Sequence, residues 1–152
     1  MNISNILSLG RTRCKIDGGS KKRVLEDIAT LIAADYPAVN ADDLFRRLVG
    51  RERLGSTGVG SGVAIPHSRI ENCSSTVGAL LTLDQPIDFE SPDNIPVDVI
   101  FALLVPEEAQ DEHLQILARL AQTFSDAGNL KQLRGARNDE ELYECAIQLF
   151  GA

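Results

Sequence analysis

The chain carries two histidines, and their settings differ. His67 follows the short apolar run VAI at 63–65 and sits directly behind Pro66, which fixes the chain before it. Small residues, Gly62 and Ser68, flank the segment and leave the ring approachable. A neutral imidazole there can act as a nucleophile or a proton acceptor near pH 7. It is equally the pattern of an ordinary surface or core histidine. His113 comes after the acidic residues at 107, 108, 111 and 112 and one position before an apolar stripe. That places it on the border of a helix's buried side, or on the helix surface. Arg51, Arg53 and Arg69 bracket His67. Their guanidinium forks suit an anion clamp beside the ring, or ordinary salt bridges to Glu52 and Glu71.

Between Arg53 and His67 lies GSTGVGSG at 55–62, with glycine at 55, 58, 60 and 62. The spacing Gly55 to Gly60 matches a phosphate-binding P-loop, but Ser61 stands where lysine is required. The dinucleotide fingerprint fails as well, because Val63 occupies its last glycine position. Val59 breaks the nucleophile-elbow pattern around Ser61. Two readings remain. Gly55, Ser56, Thr57, Gly58, Gly60 and Gly62 offer backbone N–H groups to an anion without a named signature, or they form a tight turn that needs positive φ.

A metal site built from His67, His113 and a cysteine has no ligand pair at a metal spacing, so none is expected. Cys14, Cys73 and Cys145 are odd in number and far apart. They predict reduced, mostly buried thiols in place of a disulfide framework.

The elements that must position these residues follow from periodicity. TRCKI at 12–16 predicts a strand, after a short helix or extended arm at 3–9. Ser20 caps a helix with Val24, Leu25, Ile28, Leu31 and Ile32 on one face, ending before Pro37. Asn40 caps the next, with Leu44, Phe45, Leu48 and Val49 buried and Asp42 and Asp43 at its positive end. TVGALLTL at 76–83 predicts a strand, QPIDFESPDN at 85–94 a turn-rich stretch, and VDVIFALLV at 97–105 a central strand buried on both faces. A helix is expected over 108–125, a short one from Asn129, and a last one capped by Asn138 with Glu141 in a capping-box position. Two consecutive strands at 76–105 break strict alternation. The expected fold is therefore α/β with α+β mixing. It is one domain over residues 1–152, with a mixed sheet of roughly five strands sandwiched between helices.

Composition narrows the function. The 152 residues hold 15 basic and 22 acidic side chains, for a net charge of −7. That argues against nucleic acid and anionic membranes as partners. Aromatics are 5% with no tryptophan, so stacking platforms for bases or sugars are scarce. No run approaches the ~18 apolar residues of a membrane helix, and the N-terminus lacks the layout of a signal peptide. A cytoplasmic protein without membrane insertion is expected.

RERLGSTGVGSGVAIPHSRI at 51–70 resembles the active-site signature of the type-2 IIA proteins of the bacterial phosphotransferase system, the mannitol/fructose class. DNIPVDVIFALLVPEEAQDEHLQILARLA at 93–121 resembles the second signature. SKKRVLEDIATLIA at 20–33 and DEELYE at 139–144 resemble the first and last helices of the family's nitrogen-regulatory branch. The resemblance implies a five-stranded mixed sheet between helices, with His67 as the phosphorylated residue, at Nε2, and with Arg51 and His113 beside it. The family usually has glycine after the active histidine. Here Ser68 adds a side chain that would tune docking or bond the phosphate.

The resemblance further implies a phosphocarrier that accepts phosphate from a small phosphohistidine carrier protein. It would regulate partners of the transporter or sensor-kinase type by its phosphorylation state. It implies no metal or nucleotide cofactor, because the donor is itself a phosphohistidine protein. A sugar-specific IIA component passing phosphate to a IIB partner is the alternative. The absence of a fused IIB or membrane segment favours regulation. A non-catalytic regulatory module is a third reading, and it predicts no usable histidine at position 67.

Overall fold

The computed structural model describes residues 3–71, 73–108 and 111–151. Among them, β6 (Val97–Pro106) organises the sheet. Its apolar run leaves only Asp98 and Pro106 partly exposed, which suits a strand with a helical layer on each face. One edge of β6 pairs antiparallel with β5 (Val77–Ile87), and β5 pairs parallel with β1 (Thr12–Ile16). The other edge pairs parallel with β3 (Val63–Ala64) and then with β4 (His67–Ile70). The short β2 (Gly58–Gly60) lies antiparallel outside β3.

Alternation along β6 divides the core. Ile100, Ala102 and Leu104 face one cluster, with Val24, Leu25, Ile28 and Ile32 of α1 (Lys21–Asp35) and Leu44 and Leu48 of α2 (Ala41–Leu54). Val99, Phe101, Leu103 and Val105 face the other. There they meet α3 (Asp111–Phe124), α4 (Ala127–Gly135) and α5 (Asp139–Gly151). Ile3, Ile6 and Leu7, around a 3₁₀ turn at Ile3–Asn5, close that second cluster.

The helix starts form as their caps dictate. Ser20 Oγ accepts from the Arg23 amide, Asn40 Oδ1 from Asp43 and Asn138 Oδ1 from Glu141. The capping box is only half made, since the Glu141 carboxylate pairs with Arg137.

Several elements differ from expectation. The sheet has six strands among the described residues, because the glycine-rich stretch contains β2 and His67 opens a strand of its own. β5 runs on to Ile87, into the stretch expected to turn. α3 starts at Asp111 instead of 108, Glu108 lies in a turn, and positions 109 and 110 fall outside the described residues. α4 starts at Ala127, because the Asp126 side chain takes the cap. Residues 3–11 hold two 3₁₀ turns. Cys73 is buried, while Cys14 and Cys145 are half-buried, and all three are free. No helix among the described residues is long and apolar enough to cross a membrane.

Three rings lock the second cluster. Phe101 meets Phe150 at 5.7 Å and Phe124 at 6.3 Å between centroids, and Phe124 meets Phe150 at 5.7 Å. Phe124→Ala is expected to cost about 3–5 kcal/mol of stability, read from urea unfolding monitored by circular dichroism. A cost below about 1 kcal/mol would contradict this packing.

Candidate functional site

His67 owes its position to a break in a ladder. Ala64 pairs with Ile100 and His67 with Leu103, so β3 and β4 keep one register along the edge of β6. Proline has no N–H to give at position 66, and the gap falls there. The Pro66 carbonyl still accepts from the Leu103 amide at 2.8 Å. The Ile65 carbonyl instead accepts from the ring of His67, with Nδ1 at 2.7 Å. A carbonyl only accepts, so Nδ1 carries the ring proton and Nε2 keeps its lone pair.

Arg51 comes from the last turn of α2, where a cation is favoured by the carbonyl ends of the helix. Its Nε donates to His67 Nε2 at 3.3 Å, and its Nη1 donates to the Gly55 carbonyl at 2.7 Å. His113 comes from the first turn of α3. It is 7% exposed, so it is a buried residue and not a helix-surface one. Its ring stands edge-on to His67, with centroids 5.3 Å apart and planes at 83°. Its Nδ1 is buried without a hydrogen-bond partner among the described residues.

Burial chiefly, and then the Arg51 cation, depress the pKa of His67, against the opposing pull of its bond to Ile65. Burial chiefly, then the proximity of His67 and Arg69, depress that of His113. Both rings are thereby held neutral near pH 7. The result is a neutral, oriented imidazole with a free lone pair, a guanidinium on that lone pair, and a second imidazole alongside.

The glycine-rich segment divides in two. Ser56, Thr57, Gly58 and Val59 line a cleft of about 310 Å³ with Arg51, Ile65, His67 and one face of α3. Gly60 and Gly62 shape the β2–β3 turn with φ of 97° and 81°. That turn is clasped by Asp93 on the Ser61 amide at 2.9 Å and by Arg134 on the Ser61 carbonyl at 2.7 Å. Of the two readings open for this segment, the positive-φ turn is present at Gly60 and Gly62, and the amide cradle is only partly available. The Thr57 amide is taken by Glu52 at 3.2 Å and the Gly58 amide by Ser56 Oγ at 3.0 Å. Gly58 is required by space, since a Cβ there would overlap Ser91.

Ser68 Oγ donates to the Arg69 carbonyl at 3.2 Å. Arg53 faces a different cleft, between α1 and α2. No group of three histidine, cysteine or acidic side chains among the described residues is placed to hold a metal ion. Glu52, read from sequence only as a salt-bridge partner for arginine, is tied instead to Thr57 and Lys21. Its signal was an acid in the last turn of a helix, where acids are disfavoured.

The family described as "Phosphoenolpyruvate-dependent sugar phosphotransferase system, EIIA 2" matches residues 5–148. A nitrogen regulatory protein of Pseudomonas aeruginosa is 46% identical over 149 residues, 98% of this chain and 97% of that protein. Its counterpart in Escherichia coli K12 is 40% identical over 145 residues, 95% of this chain and 88% of that one. The crystal structure of the nitrogen regulatory protein IIA-Ntr from Neisseria meningitidis superposes with a TM-score of 0.86 at 39% identity. It covers 94% of this chain and 97% of that chain.

His67 is expected to titrate below the ordinary histidine value of about 6.5, followed by ring-nitrogen NMR. Arg51→Ala is expected to raise that midpoint, because a repelling cation is lost. Any reaction at Nε2 should slow as pH falls through the midpoint, since the imidazolium has no lone pair. A midpoint at or above 6.5 in the unsubstituted protein would contradict the electrostatics described.

Proposed function

Because the chain belongs to the EIIA 2 family of the phosphoenolpyruvate-dependent sugar phosphotransferase system, we propose that it is a phosphohistidine carrier of the nitrogen-related branch. In this reading His67 Nε2 accepts a phosphoryl group from a small phosphohistidine carrier protein. The phosphorylated and free forms then bind partner proteins differently, partners of the transporter or sensor-kinase type among them. The observation that carries the reading is the Ile65–His67 bond, which leaves Nε2 as the nucleophile.

The transfer is an exchange of one N–P bond for another. The Nε2 lone pair attacks phosphorus in line as the bond to the donor's ring nitrogen breaks. Nδ1 keeps its proton and goes on donating it to the Ile65 carbonyl, which stabilises the positive charge the ring acquires. Arg51 moves from the nitrogen to the phosphoryl oxygens, where charge develops, and its planar fork can hold two of them. The Nδ1 of His113, without a partner among the described residues, is a buried polar atom to which an incoming oxygen would supply a hydrogen bond. Ser56, Thr57 and Gly58 support the cleft wall, with Gly55 holding Arg51 and Gly60 and Gly62 holding the turn. Ser68 stands at the rim. Exposed Leu54, Val59 and Leu114, which neighbour these groups in sequence, suit contact with a protein partner.

The test is incubation with phosphoenolpyruvate, enzyme I and the phosphocarrier protein, read by intact mass. The unsubstituted protein is expected to gain one phosphoryl group and His67→Ala none. Arg51→Lys is expected to slow the transfer, because charge remains but the fork is lost. His113→Ala is expected to slow it by less than the loss of His67, with all variants folded. Phosphorylation of His67→Ala would overturn the assignment.

A further inference from the structure

Glu52 occupies an unfavourable place for a carboxylate. It lies in the last turn of α2 between Arg51 and Arg53, and its side chain is only 5% exposed. A buried carboxylate needs partners, and these are specific. Lys21 Nζ lies 2.8 Å away, and both carboxylate oxygens lie 3.2 Å from the Thr57 amide nitrogen. Thr57 Oγ1 donates to the same group in a short contact. Lys21 also donates to the Phe89 carbonyl at 3.3 Å, which accepts from Ser56 Oγ at 2.7 Å. The loop entry at 56–57 is thus gripped from two sides.

The bonds continue inward. Thr57 is 4% exposed. Its carbonyl accepts from the Ile65 amide at 3.0 Å, and the Ile65 carbonyl accepts from His67 Nδ1 at 2.7 Å. A single line of hydrogen bonds therefore runs from the Glu52 carboxylate through Thr57 and Ile65 to the ring. The neighbouring residue, Arg51, meets the same ring at Nε2. One helix end touches both nitrogens of His67, directly at one and through backbone at the other.

We infer that Glu52 is a positioning residue for phosphoryl transfer, anchoring Thr57 so that Ile65 holds His67 as a single tautomer with Nε2 facing the cleft. The function requires an acceptor at every lone pair. A glutamine would turn an NH₂ group toward donors at Thr57 or Lys21 and break the anchor. The inference rests on the reading of His67 as phosphoryl acceptor, but the tautomer is readable without any donor.

The experiment compares Glu52→Gln, Thr57→Val and Thr57→Ser with the unsubstituted protein. Ring-nitrogen NMR gives the His67 tautomer. Single-turnover transfer from the phosphocarrier protein, charged by enzyme I and phosphoenolpyruvate, gives the rate over a range of donor concentrations. The unsubstituted protein is expected to show the Nδ1–H form alone. Glu52→Gln is expected to show mixed tautomers and transfer about 10- to 100-fold slower at saturating donor, as for a misplaced reacting group. The donor concentration for half-maximal rate should not change. Thr57→Val should shift in the same direction by less, and Thr57→Ser, which keeps the hydroxyl on Glu52, should keep the single tautomer and lie closer to the unsubstituted protein than Thr57→Val does.

An unchanged tautomer and saturating rate in Glu52→Gln would overturn the inference. So would a loss confined to donor half-saturation, which would make Glu52 a docking residue. If Glu52→Gln lacks a cooperative thermal transition, the Thr57 pair decides on the same two readouts. If the unsubstituted protein takes no phosphoryl group, the reading of His67 fails, and the tautomer comparison still decides the role of Glu52.

Discussion

One backbone carbonyl sets the chemistry of His67. Ile65 stands where the edge ladder on β6 is interrupted before Pro66, and its oxygen accepts from the imidazole. Without that bond the ring would exchange its proton between two nitrogens, and neither would be a dedicated nucleophile. The bond exists because β3 and β4 keep a common register on both sides of the gap. The register in turn depends on β6, whose side chains alternate into two separate apolar layers. Shifting β6 by one residue would exchange those layers and carry His67 out of reach of both its neighbours.

The two helical layers deliver those neighbours from opposite faces. α2, on the first layer, brings Arg51, and α3, on the second, brings His113. The protein is acidic as a whole, with a net charge of −7, yet the balance around His67 favours its neutral form. Burial and the Arg51 cation there outweigh the Ile65 bond and the Glu52 charge, so the ring keeps its Nε2 lone pair near neutral pH. Polar networks in such settings are strong when complete and costly when broken. That is why the buried Glu52 carries Lys21 as its counter-ion.

What was legible in the sequence was local. Ser20, Asn40 and Asn138 announce helix starts because each cap bond spans three residues. The apolar run at 97–105 announces a central strand because no polar side chain interrupts it after Asp98. His67, Arg51 and His113 stand out in the sequence, and they do lie together. The rest depended on partners distant in sequence. β4 is too short to show a period, and its pairing comes from β6, thirty-six positions on (103 − 67). The glycine-rich stretch left two readings open, a source of free amides or a tight turn. Three of its amides are committed to side chains, those of Glu52, Ser56 and Asp93, that composition alone cannot assign. Ser68 interrupts the family's usual glycine, but its hydroxyl turns to its own neighbouring carbonyl.

The central claim is that His67 reacts through Nε2 because Nδ1 is held by Ile65. Its most direct test is phosphorus–nitrogen coupling in the phosphorylated protein, with the histidine rings labelled with nitrogen-15. The account predicts one phosphorus signal coupled to Nε2 of His67, with Nδ1 still protonated. Phosphorus coupled to Nδ1 of His67, or to either nitrogen of His113, would contradict it.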